Sequence, residues 1–214
     1  DVFDNLVVSL CKFTGLTSTV NGGDVIAIDF GSNAKAQLAA KALFRLVTQH
    51  GDILRDGWKN IVEILLQLFK SRLLPECLTQ SSDLIEGNVS LYKPNPVSQP
   101  RVEPSLLSSL YSYIALGDGG SRGTTPEDEQ CREQAKKCIL ECHIEKLIKE
   151  SAFLRLEALS DMLKAIMTIG DGSCLVTGDT GDNSAGETDN LDEYGHAMLL
   201  EIVVQVSFVG SYTN

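Results

Sequence analysis

The chain has 214 residues, 43% of them hydrophobic and 22% charged. That composition excludes a disordered or low-complexity chain and allows one sizeable core, and no apolar run approaches the roughly 20 residues that a membrane span needs. Eighteen Lys and Arg against 29 Asp and Glu leave a formal charge of −11, which opposes generic binding to nucleic-acid phosphates and bulk attraction to anionic lipid, though not insertion of an apolar helix face. No signal-peptide pattern is present, and with Asp1 first and no Met the expectation is a fragment of a longer protein, for which a missing signal says little.

Segment 2–15 sets Phe3, Leu6, Val7, Leu10 and Phe13 at helical spacing, with Gly15 as its stop. Residues 16–32 are rich in Thr, Ser and Gly and read as a flexible connector. Val25 to Phe30 could pass for a strand there, but no second strand-like run lies nearby to pair with it. Segment 33–50 is the strongest helix, with Ser32 as N-cap, Gly51 at C′ and a stripe through Leu38, Ala39, Ala42, Leu43, Leu46 and Val47. Lys35, Lys41 and Arg45 lie off that stripe.

Segment 57–74 follows with Asp56 as its expected cap. Its apolar residues spill beyond one face, through Ile64 and Leu66, so the spacing predicts a central helix with neighbours on several sides. Trp58 is expected to be a core or inter-helix anchor. Residues 76–103, with Pro94, Pro96 and Pro100, show no period and read as a disordered or regulatory loop. Segment 104–116 resumes a helical stripe through Leu106, Leu107, Leu110, Tyr113 and Ile114, between that loop and a second break at 117–125.

A helix over 126–142 is expected from Thr125 as N-cap, Pro126 at N1 and three acids in the first turn, which suit the positive end of the helix dipole. Its apolar face is Cys131, Ala135, Cys138, Ile139 and Cys142. A short helix at 144–150 follows, then one over 152–169 capped by Ser151. Residues 170–190 form an acidic, Gly-rich loop, and 191–209 is helical by period. The sum is an all-α domain of six or seven helices, expected to stack as hairpins in an armadillo- or HEAT-like α-solenoid with long disordered loops.

No catalytic or cofactor motif emerges. No CxxC occurs among the six cysteines, and the one helix-borne set, Cys131, Cys138 and Cys142, spans nearly three turns, too long to converge on one zinc. The expected state is reduced, mostly buried thiols in the cytoplasm. The turn GDGGSRG at 117–123 lacks the spacing and the preceding strand of a dinucleotide loop, and the Asp-rich run at 179–193 fits no EF-hand register. No GxSxG, HExxH or GxxxxGK[ST] is present, and His50, His143 and His196 have no nucleophile at a recognised spacing.

Two blocks carry a resemblance. DVFDNLVVSLCKFTGL joined to FGSNAKAQLAAKALFRLVTQHGDILRDGWKNIVEILLQLFKSRLLP, and further on EKLIKESAFLRLEALSDMLKAIM, resemble the region just downstream of the catalytic domain in the large brefeldin A-resistance Arf guanine nucleotide exchange factors. The Golgi-specific branch is the most similar. The resemblance implies a helical, armadillo-like regulatory region, the first homology-downstream domain. Exchange would reside upstream, in a domain that inserts a glutamate into the nucleotide site of Arf, and nothing here matches that loop. The resemblance further implies a cytoplasmic protein, peripheral on Golgi membranes, that meets lipid surfaces (Golgi, lipid droplet) and neighbouring domains of the same protein. The ending VQVSFVGSYTN departs from the family pattern.

The expectation is therefore a non-catalytic, membrane-targeting helical domain without cofactor or metal. Its candidate lipid or partner contacts are Leu106, Leu107, Leu110, Tyr113 and Ile114 on one helix and Lys35, Lys41 and Arg45 on another. The alternative is a scaffold that binds proteins without touching lipid, in which the acidic loop meets a basic partner.

Overall fold

A computed structural model describes residues 2–17, 23–83, 87–91, 125–170, 195 and 197–204. Helix α1 spans Val2–Thr14 and buries Asp4, Val7, Cys11 and Thr14. It ends as its sequence predicts: Gly15 takes a left-handed φ of 69°, and the Thr14 hydroxyl donates to the Cys11 carbonyl while accepting from the Leu16 amide.

The connector expected over 16–32 is corrected. Residues Gly23–Ser32 form a helix, α2, that buries Ile26, Ala27, Phe30 and Gly31. Those positions repeat as i, i+1, i+4, i+5, so the apolar run satisfies a helical period as well as a strand. Packing decides between them: a Cβ at Gly31 would collide with the Cys131 backbone carbonyl, so only glycine lets α2 lie this close to its neighbour.

Helix α3 spans Ala34–His50, one residue later than Ser32 capping predicts. The Asn33 side chain is the cap, accepting from the amides of Lys35 and Ala36 at 3.1 Å each. The buried stripe is Ala36, Ala39, Ala40, Leu43, Phe44 and Val47, and Leu38, expected on the stripe, is exposed. Gly51 has an ordinary right-handed φ, and the chain runs on into a 3-10 turn, Gly51–Ile53.

Helix α4, Gly57–Lys70, is buried on almost every side, including Trp58, Ile61, Val62, Ile64, Leu65, Leu66, Leu68 and Phe69. Its expected cap fails, since Asp56 makes no side-chain cap bond. The acceptor comes from 53 residues away: Asp4 Oδ1 accepts from the Gly57 amide at 2.9 Å and the Arg55 amide at 3.0 Å. The loop expected at 76–103 is corrected over its described part. Beyond a 3-10 turn at Glu76–Leu78, strands β1 (Gln80–Asp83) and β2 (Gly87–Ser90) pair antiparallel with Gln80 opposite Ser90. These strands have no apolar alternation, so nothing in their pattern announces them.

Helix α5, Pro126–Glu141, begins with the predicted cap, completed as a capping box between Thr125 and Asp128. Helix α6 is Ile144–Ser151 and α7 is Leu156–Gly170. Ser151 therefore closes α6 instead of capping α7. Residues 197–204 are helical, and Met198, Leu199 and Ile202 join the core. The expected helix 104–116 and the acidic loop lie outside the described residues, apart from Gly170.

The fold is all-α with one small hairpin. Among its principal contacts a step of three recurs: α1 meets α4, α2 meets α5, α3 meets α6 and α4 meets α7. Helices α2 to α4 thus form one layer and α5 to α7 the next. Extensive contact between α1 and α3 closes the first layer on its other side. Two layers do not by themselves define a superhelix, but the pairing is between layers and not within sequential hairpins.

Replacing Asp4 by Ala leaves two amides at the head of α4 without their acceptor. The expected loss is about 1–3 kcal/mol in urea unfolding. Asp4→Asn keeps an acceptor oxygen and should cost clearly less.

Candidate functional site

The turn between α3 and α4 and the turn before α7 are clipped together. Asp52 Oδ1 accepts from the Arg155 amide at 2.7 Å, directly ahead of α7. This tertiary carboxylate occupies the place where a local cap was expected. Arg55 donates through Nη1 to the carbonyls of Asp52 and Leu54 and pairs through Nη2 with Glu157 at 3.3 Å. Beneath the clip, a Cβ at Gly51 would touch Leu154 and Trp58, so the two turns are seated on the core.

Three large apolar side chains stand outward from this clip. Ile53 is 50% exposed, Phe153 63% and Leu156 82%. Ile53 adjoins Asp52 in sequence, and Phe153 and Leu156 lie within two residues of Arg155, so the clip brings the three to one edge of the molecule. Leu156 also lines a shallow, open depression of about 410 Å³, with Arg55, Glu157, Ser160, Asp161 and Lys164. The flanking cations are all matched: Arg55 with Glu157, Arg155 with Asp52 at 3.9 Å and Lys164 with Asp161 at 3.3 Å. These cations are therefore paired beside the apolar side chains, though exposed pairs of this kind add little stability.

The other candidates are placed as follows. Lys35, Leu38 and Arg45 share an exposed face of α3, at i, i+3 and i+10. Lys41 is drawn aside to Glu141 of α5, at 2.6 Å. That contact holds the Lys41 ammonium above its usual range and the Glu141 carboxyl below its own. Leu106, Leu107, Leu110, Tyr113 and Ile114 lie outside the described residues. The apolar edge was missed in the sequence because Ile53, Phe153 and Leu156 sit on no common period. Ile53 and Phe153 are apolar residues within turn segments, and Leu156, expected on the buried stripe of 152–169, is instead exposed at the first position of α7.

Among curated proteins, the chain is 32% identical to the Golgi-specific brefeldin A-resistance guanine nucleotide exchange factor 1 homolog of Caenorhabditis elegans, over 97% of this chain and 12% of that protein. It is 31% identical to the ARF guanine-nucleotide exchange factor GNL1 of Arabidopsis thaliana and 30% identical to GNOM of the same plant. Each plant match covers 78% of this chain and 12% of the relative. The chain belongs to the large brefeldin A-resistance Arf exchange factors. It spans 12% of the length of these relatives. No family model and no solved structure matches it.

Within this exchange-factor segment no described helix is long and apolar enough to cross a membrane, and no group of three or more potential metal ligands gathers among the described residues. The five described cysteines are free thiols. Cys138 donates to the Gln37 carbonyl at 3.7 Å, linking α5 to α3. The neighbouring Cys142 thiol hydrogen-bonds to Cys138, which lowers the pKa of Cys138 and raises that of Cys142. Burial pushes the Cys11 thiol up to about 12, so it stays protonated at any physiological pH and is a poor nucleophile.

Two outcomes follow. Iodoacetamide at pH 8 should alkylate the exposed Cys77 in the native chain and reach Cys11 only after denaturant is added, as read by peptide mass spectrometry. Asp52→Ala should cost about 1 kcal/mol, the usual worth of a helix cap, and should speed amide exchange over residues 153–157.

Proposed function

We propose that this chain serves an Arf exchange factor as a non-catalytic regulatory segment that helps hold it on a lipid surface through apolar side chains. The observation that carries the reading is the clipped edge bearing Ile53, Phe153 and Leu156. Apolar side chains this large and this exposed carry an unfavourable hydration cost that is relieved when something apolar receives them, and full burial of each is worth about 1.5–3 kcal/mol. Along the edge, the three side chains stand on or beside turns and are at least half exposed, a setting that leaves them free to enter the headgroup and acyl boundary of a bilayer or droplet monolayer. Its matched charges explain how a chain of charge −11 could approach lipid: attraction would come from insertion and not from bulk field.

The stripe Leu106, Leu107, Leu110, Tyr113 and Ile114 is a second proposed contact, and Lys35, Leu38 and Arg45 on the outer face of α3 a third. The name of the worm relative carries the term Golgi-specific, which supports a cytoplasmic location at Golgi membranes for this chain as part of the proposal. No cofactor or metal enters it.

A protein-binding scaffold is the second reading, favoured by the acidic run at 171–193, which carries no basic residue. Flotation with neutral and anionic liposomes at low and high salt separates the two. Insertion predicts binding to both vesicle types with little salt dependence. The triple variant Ile53→Ser, Phe153→Ser, Leu156→Ser should bind at least about tenfold more weakly. Its stability should remain within about 0.5 kcal/mol of the parent, since all three positions are on the surface. Unchanged flotation by the triple variant removes the edge from the mechanism, and Leu107→Asp with Leu110→Asp then tests the second contact. Failure of the parent chain to float on any vesicle overturns the lipid reading as a whole.

A further inference from the structure

Helix α1 carries apolar residues well beyond the face it buries. The inner side, Val7 and Cys11 with half-buried Phe3 and Leu10, packs toward α3 and α4. On the outer side Val2, Leu6 and Phe13 fall with Ser9 at intervals of four, three and four residues, which is one line along a helix. Phe13 is 72% exposed and Val2 85%. A helix apolar this far around its girth belongs between neighbours, not at a boundary with water.

The step of three in the helix contacts says what kind of neighbour is missing. Since α4 is the third helix of its layer and meets α7 one layer on, α1, which meets α4, stands as the third helix of a layer that precedes α2 to α4. Stacked repeats keep apolar faces between layers and need a polar outer face wherever the stack ends. The outer face of α1 is not polar. The relatives, of which this chain matches 12%, have ample polypeptide to supply the layer.

We propose that the Val2–Leu6–Phe13 face of α1 is an inter-layer surface, covered by helices of the same exchange-factor polypeptide that lie before this segment in sequence. The occupant is an apolar helix ridge, approaching as α1 itself approaches α4. The clipped edge of Ile53, Phe153 and Leu156 stays free in this arrangement, so the inference does not depend on lipid binding.

The test places this chain in the full-length worm relative, in exchange for the segment it matches, and follows hydrogen exchange of residues 2–14 beside the isolated chain. The expected result is exchange slower by about tenfold or more in the full-length protein, the factor for burying one large apolar side chain. Leu6→Asp with Phe13→Asp should abolish that difference, and the milder Phe13→Ser should reduce it. Melting of the isolated variants by circular dichroism should stay near that of the parent chain, because both positions are exposed there. Equal exchange in the two contexts overturns the proposal. So does a dimer of the isolated chain that Phe13→Ser dissociates, which would assign the face to a second copy. Protection of residues 2–14 by liposomes alone, without the flanking polypeptide, would assign it to lipid and equally overturn it.

Discussion

Helix α4 cannot be solvated. Apart from its ends and scattered polar positions it is apolar around its whole girth, and the burial of Trp58, Ile61, Ile64, Leu68 and Phe69 demands neighbours on every side. Those neighbours are α1 on one flank and α7 on the other, and Gly195 approaches Leu66 from the closing helical stretch. Removing buried side chains of this kind typically costs about 2–5 kcal/mol each, a large share of the 5–15 kcal/mol by which a domain is stable. The layered order of the helices is the arrangement that meets this demand.

The polar contacts between layers fix orientation more than they add stability. Asp4 reaches across to the head of α4, and Asp52 reaches to the head of α7. Both carboxylates satisfy amides that a helix start leaves without partners. Gln37 performs a similar service at the end of α2, donating to the carbonyl of Gly31 at 2.7 Å. The surface ion pairs, such as Arg132 with Asp24 and Lys41 with Glu141, join exposed or half-exposed groups and secure register at most. Asp52, in closing the start of α7, also ties the turn that carries Ile53 to the segment that carries Phe153 and Leu156.

Two kinds of exposed apolar surface therefore coexist, and their settings differ. The edge lies on turns, at the ends of helices, with matched charges on its rim. The outer line of α1 runs along a helix axis, parallel to an inner line that already packs. The first is the proposed lipid contact, whereas the second is the proposed contact between layers. The family relationship supplies long polypeptides in which both surfaces could be occupied at once.

The all-α class, the start of α5, the stop of α1 and the central position of α4 were legible from sequence, because each rests on local chemistry: a capping box, a glycine, an apolar period. The tertiary structure decided the rest. The helix at residues 23–32 packs closely on α5 because Gly31 admits its backbone, and α4 and α7 took their caps from carboxylates 53 and 103 residues away. Periodicity records which residues can share a face; it carries no information about which distant segment fills a groove or satisfies a bare amide. The apolar edge is of this second kind, since its members meet only after two turns far apart in sequence have been clipped together.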